Sequence, residues 1–132
     1  MTMKRIVCCA LSAILLATAC HNTTKEDTRL LTGFYEYVFG EKEATDSVLR
    51  AFLAPSILER IWMEDYDGCY AIWEFRTGLQ DGVSSTSSVE SVRPLGDGWY
   101  RVSFLDLGVA GETDVKVENG KITDFRRNDV KR

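Results

Sequence analysis

Histidine is nearly missing from this chain: there is one, His21, in 132 residues. It lies ahead of the first periodic segment, so histidine triads, cysteine–histidine pairs and histidine metal sites are excluded from a folded core. Neither a P-loop nor a GxGxxG motif is present, so the sequence contains no glycine-rich phosphate cradle. A basic excess is missing too. Sixteen Lys and Arg against twenty Asp and Glu give a net charge of −4, which argues against nucleic acid as a partner. The N-terminal apolar run, Ile6 to Ala19, reaches roughly 21 Å as a helix, too short for a hydrocarbon core of roughly 30 Å. There is no internal repeat, and 45% apolar with 27% charged residues is the balance of one folded globular domain.

What is present starts with a leader. Lys4 and Arg5 precede the apolar run, and Leu16-Ala17-Thr18-Ala19-Cys20 ends it with small residues before a cysteine. The segment reads as a secretory signal peptide over residues 1–19. Its end resembles the lipobox of bacterial lipoproteins, with Ala17 where the commonest form has a larger aliphatic residue. The resemblance implies a diacylglyceryl group on the Cys20 thiol and cleavage before it. The product is a cell-envelope lipoprotein anchored in the membrane, facing the periplasm or the cell surface. Each buried methylene contributes about 0.8 kcal/mol, so two or three acyl chains anchor almost permanently. Cleavage leaves 113 residues, moves the net charge to −6 and removes Cys8 and Cys9. Cys69 is then a lone thiol, so no intramolecular disulfide can form and buried packing is its expected role.

Residues 20–27 read as a short polar, lipidated tether, 28–126 as one domain, and 127–132 as a charged tail. From Thr28, Leu30, Leu31, Phe34, Tyr35, Tyr37 and Val38 recur at helical steps, and Gly40 supplies a stop. A second helix starts at Thr45 or Asp46 with the stripe Val48, Leu49, Phe52 and Leu53. Pro55 opens a third, with Ile57, Leu58, Ile61 and Trp62 on one side. Tyr70 to Phe75 fits a short helix or a strand, and Thr77 to Ser88 reads as a loop. The period then changes to two. Val89 to Arg93 is a strand, Gly96-Asp97-Gly98 a turn, and Trp99 to Leu107 the clearest strand of the chain. Tyr100, Val102 and Phe104 face one way there, and Trp99, Arg101, Ser103 and Leu105 the other. Thr113 to Val117 and Ile122 to Phe125 flank Asn119-Gly120, a type I′ hairpin signal that pairs Glu118 with Lys121. Phe125 then falls on the wrong face unless a bulge intervenes. Helices first and an antiparallel meander afterwards predict an α+β fold, helices packed on one face of a curved antiparallel sheet.

Glu64, Asp65 and Asp67 invite a calcium reading, but counting from Asp65 puts Tyr70 at position 6 and Arg76 at position 12. An EF-hand needs glycine and glutamate there, so a solvated acidic turn is expected and no metal or cofactor is implied. Trp62, Tyr66, Tyr70 and Trp73 share one face at helical spacing. They form either part of the core or the wall of a ligand pocket, with Glu74 or Arg76 supplying a polar group. Trp99 and Tyr100, just after a turn, carry the same ambiguity.

The phrases "FLAPSILERIW", "AIWEFRTGLQDG", "LGDGWYRVSF" and "GKITDF" resemble small bacterial lipoproteins that carry domain of unknown function 3828. The element order is similar to the cystatin-like, nuclear transport factor 2-like superfold, whose helices and sheet enclose a cone. The family has no catalytic motif to transfer. The expected function is a non-enzymatic binding module for a small apolar ligand, a peptide or another envelope protein. One alternative is a histidine-independent isomerase or dehydratase using a carboxylate and a tyrosine among Asp65, Tyr66, Tyr70 and Glu74. Another is a structural or immunity-type partner protein.

Overall fold

The computed structural model describes residues 23–40, 45–64, 75–76 and 83–128, with the side chains of 62–64 excepted. Three helices precede a four-stranded antiparallel sheet, an α+β architecture.

Helix α1 covers residues 23–39. Leu31, Phe34, Tyr35 and Val38 form its buried stripe, and the Gly40 N–H closes it on the carbonyls of Glu36 and Tyr37 at 3.1 Å each. The helix begins five residues before the expected start at Thr28, so part of the expected tether is helical. Asp27 explains the extension: it is buried and accepts the Tyr100 hydroxyl at 2.7 Å, a sheet contact that stabilises the first turns without an apolar stripe.

Helix α2 (Asp46–Phe52) follows Thr45, whose carbonyl accepts the N–H groups of Val48 and Leu49. It ends where Leu53 turns extended and forms a single parallel bridge with Ile122. Pro55 then opens α3 (Pro55–Glu64), where a missing N–H costs nothing. Ile57, Leu58 and Ile61 point inward.

Strands β1 (Ser88–Gly96), β2 (Trp99–Asp106), β3 (Val109–Glu118) and β4 (Lys121–Asn128) form a simple meander in chain order. The expected alternation of β2 holds residue by residue: Tyr100, Val102 and Phe104 are buried, and their neighbours are half-buried on the outer face. The Asn119-Gly120 turn has positive φ at both positions, 50° and 72°, as a type I′ turn requires. Val117 pairs with Ile122, yet Lys116 pairs with Asp124, so Thr123 is the extra residue of a bulge. That bulge returns Phe125 to the inner face beside Val115.

Several strand boundaries differ from expectation: β1 runs on to Gly96, β3 starts at Val109 and β4 runs on to Asn128. Leu107-Gly108 forms a hairpin turn where no turn was expected, with φ 49° at Leu107. Its carbonyl accepts the N–H groups of Val83 and Ser84, and the Gly108 N–H donates to the Thr86 carbonyl, so a distant segment holds leucine in a conformation it rarely takes. At the other end, Arg127 and Asn128 continue β4 opposite Thr113 and Glu112, so the expected tail starts in the sheet.

One core joins the helices to the inner sheet face. Phe75 lies 4.9 Å from Phe34 and 4.1 Å from Phe125 between ring centroids, and Tyr35 lies 5.2 Å from Phe104. These rings are fully or almost fully buried where helices and sheet meet.

Candidate functional site

A groove lies between the C-terminal half of α1 and the start of β1, with a volume of about 380 Å³. Thr32, Glu36, Phe39 and Gly40 supply one wall, and Ser87, Ser88 and Val89 the other. Helical spacing sets the first wall: 32, 36 and 39 recur at four and three residues, along the flank of α1's buried stripe, where Phe39 also packs against the core. Its hydroxyls are already engaged. Thr32 donates to the Thr28 carbonyl at 2.8 Å and Ser88 to a Glu90 carboxylate oxygen at 2.9 Å. The Ser87 hydroxyl accepts the Leu107 N–H at 2.9 Å. Glu36 is exposed at the rim.

A buried ion pair lies near this groove. Asp106 is 2% exposed, and the Arg76 Nε donates to its two carboxylate oxygens at 3.2 and 3.0 Å, with the Arg76 Nη2 adding a further bond to Oδ1. The Arg76 guanidinium also sits 5.5 Å from the centroid of Phe39, a groove residue. Paired this way, Asp106 is a structural anchor rather than a base open to the groove. Part of the signal for it was legible, since Asp106 takes the next inward position after Tyr100, Val102 and Phe104. Its partner lies thirty residues earlier, which no local spacing reveals.

Two tyrosines occupy the helix–sheet interior. Tyr100 donates to Asp27, and burial, reinforced by that carboxylate, pushes its pKa up to about 12. The Tyr35 hydroxyl is buried beside Thr113 in a contact outside hydrogen-bond geometry. Burial drives its pKa well above the ordinary value, and Thr113 offsets a little of that rise. Asp27 and Tyr100 form a carboxylate–tyrosine pair, but both are buried against each other and neither lines the groove.

The outer sheet face carries a separate polar network. Arg101 forks onto Asp114 at 2.9 and 3.1 Å, and Asn128 donates to the same carboxylate at 2.9 Å. The Arg101 bonds hold the Asp114 carboxyl below the usual carboxylate range, against the opposing effect of burial. Trp99 lies on this face, half-buried, with the Arg126 guanidinium 4.2 Å from its ring centroid. Alternation puts Tyr100, not Trp99, toward the core. Trp99 is therefore separated from the interior wall envisaged for it. The other expected site residues, Tyr66, Tyr70, Trp73 and Glu74, lie outside the described residues, as do Cys20, Asp65 and Cys69. Trp62 is on α3, but its side chain also lies outside them.

Among the described residues, no group of three or more His, Cys, Asp or Glu side chains could hold a metal ion, and no helix is long and apolar enough to cross a membrane. Sequence reasoning missed the groove because its walls, Thr32 to Gly40 and Ser87 to Val89, meet only after folding. No protein-family model, curated protein or solved structure matches the chain.

Proposed function

We propose that this chain is an envelope lipoprotein, anchored by acylation of Cys20, whose domain is a non-enzymatic binding module working from its surface. The observation that carries the anchor is Leu16-Ala17-Thr18-Ala19-Cys20 at the end of a short apolar leader. The surface mode of binding is supported by the groove between α1 and β1, about 380 Å³ in volume. A hydroxyl-lined, half-apolar groove of this volume suits a peptide segment or a small amphipathic ligand better than a wholly apolar one. The helix–helix–helix–meander order supports a cystatin-like, nuclear transport factor 2-like domain, related to domain of unknown function 3828.

Two measurements test this reading. Metabolic labelling with a fatty acid is expected to mark the wild type and not Cys20→Ser; equal labelling of both removes the anchor. A photo-crosslinking residue at Ser88 is expected to give adducts in the envelope that the same residue at Arg127 does not. Identical patterns at the two positions remove the groove.

A further inference from the structure

We propose that Arg76 is the positioning residue of the groove between α1 and β1, a clamp that joins its two walls and fixes the width an occupant must match. The inference rests on the groove reading proposed above and names what controls that site. The walls come from segments far apart in the chain, and each has its own hold on the sheet. On the α1 side, the Phe39 ring packs 5.6 Å from Phe104 between centroids. On the β1 side, the Ser87 hydroxyl accepts the Leu107 N–H at 2.9 Å and donates to Asp106 Oδ1 at 3.5 Å. The residues leading into Ser87 are tied to the same turn. The Val83 and Ser84 N–H groups donate to the Leu107 carbonyl at 2.8 and 2.9 Å, and the Gly108 N–H donates to the Thr86 carbonyl at 3.1 Å.

Arg76 reaches both walls. Its guanidinium forks onto the Asp106 carboxylate that receives the Ser87 hydroxyl, and it stands 5.5 Å from the centroid of the Phe39 ring. Phe104 and Asp106 are successive inward residues of β2. The contacts therefore close a ring from α1 through Phe39, Arg76, Asp106 and Ser87 to β1, with β2 as its base. Arginine suits this place because a planar guanidinium can aim two N–H groups at one carboxylate and still offer a flat face to an aromatic ring. A lysine ammonium has neither the fork nor the face. Burial makes the clamp stiff. The Asp106 side chain is 1% exposed and that of Arg76 15%, so parting them strands a carboxylate away from water. A shift of Arg76 by about 1 Å takes its bonds of 3.0 and 3.2 Å beyond hydrogen-bond reach. A groove held at one width selects its occupant by shape and does not reorganise to admit a wider one.

The test measures the width directly in the full chain. Glu36 and Ser88, exposed on opposite walls, are each replaced by a ketone-bearing residue that takes a spin label, and pulsed electron resonance reads the distance between the labels. The intact clamp is expected to give one narrow distance peak. Arg76→Lys and Asp106→Asn should each broaden that peak and shift it to longer distance. Arg101→Lys, which weakens a comparable fork onto Asp114 on the outer sheet face, should lower the melting temperature and leave the peak where it was. An unmoved peak in Arg76→Lys, or an equal broadening in Arg101→Lys, overturns the clamp. Phe39→Leu serves where the ion-pair variants fail to fold. It keeps apolar volume, removes the ring beside the guanidinium and should broaden the peak, and an unmoved peak again overturns the clamp. Crosslinking from Ser88 separates the two readings. A distance that responds to Arg76, with Ser88 adducts identical to those from Arg127, keeps the clamp and loses the groove as a binding site. Adducts particular to Ser88, with a distance indifferent to Arg76, keep the binding site and lose the clamp.

Discussion

Tyr100 donates its hydroxyl proton to Asp27 inside the helix–sheet contact, and burial with that carboxylate raises its pKa to about 12. An unfolded tyrosine titrates near 10. The folded state therefore holds this proton more tightly, and the stability it contributes is intact below about pH 10 and lost between there and about pH 12. Asp114 behaves in the opposite sense. Its pKa is lowered in the folded state, chiefly by the Arg101 hydrogen bonds, so its contribution is intact above the ordinary carboxylate value near 3.9 and drains as pH falls below it. We expect urea midpoints measured across pH to fall at both extremes. Asp114→Asn should flatten the acid limb. Tyr100→Phe should remove part of the alkaline limb, the remainder belonging to Tyr35, and should cost about 1–3 kcal/mol at neutral pH by leaving a buried carboxylate without its donor. An unchanged alkaline limb in Tyr100→Phe would show that the Asp27 contact does not hold the first turns of α1.

At the scale of elements, the hairpin turns differ in what surrounds them. Gly98 and Gly120 both have positive φ, 80° and 72°, so a side chain at either costs about 1–2 kcal/mol of backbone strain. A Cβ at Gly98 would also lie 2.8 Å from the Val117 carbonyl oxygen, whereas a Cβ at Gly120 meets nothing within 4 Å. Thermal melts should therefore rank Gly98→Ala below Gly120→Ala, by roughly a further 1–3 kcal/mol. Equal melting points would mean that the β1–β2 turn relaxes away from β3. The same contrast explains how much of the fold was legible beforehand. Asn119-Gly120 and the alternation of β2 are local signals, and both match the structure. Leu107-Gly108 was not legible, because a leucine at positive φ is held there by Val83, Ser84 and Thr86 rather than by its own neighbours. The Thr123 bulge was foreseen only as a condition for burying Phe125, since alternation shows that a register must shift but not where. The early start of α1 was hidden because Asp27 looks like a tether residue until Tyr100 is brought to it.

For the whole molecule, the exposed edge of the sheet poses the largest hazard. Helices α2 and α3 pack toward β4, while no described element pairs with the free edge of β1. Seven of the nine β1 residues are exposed, with Val89 and Val92 the exceptions. A bare strand of that length is a template for pairing with a second chain. Three features oppose such pairing. Register shifts place extra residues at Glu90 and at Leu95, which bend the strand twice. Pro94 has no N–H to offer a new neighbour, and Glu90 and Arg93 set charges along the edge. The wild type should therefore sediment as a monomer, and Pro94→Val combined with deletion of Glu90 should associate increasingly with concentration. Deleting Glu90 restores an even register between Val89 and Ser91, and valine returns both a donor and a strand-favouring side chain. If this variant stays monomeric at every concentration where the wild type does, the protection lies in something other than the shape of β1. Under the proposed Cys20 anchor the edge would matter more than in solution, because anchoring confines copies to a plane and raises the effective concentration of each edge for the next. On that proposal, the bulges and Pro94 keep anchored copies from joining into a continuous sheet.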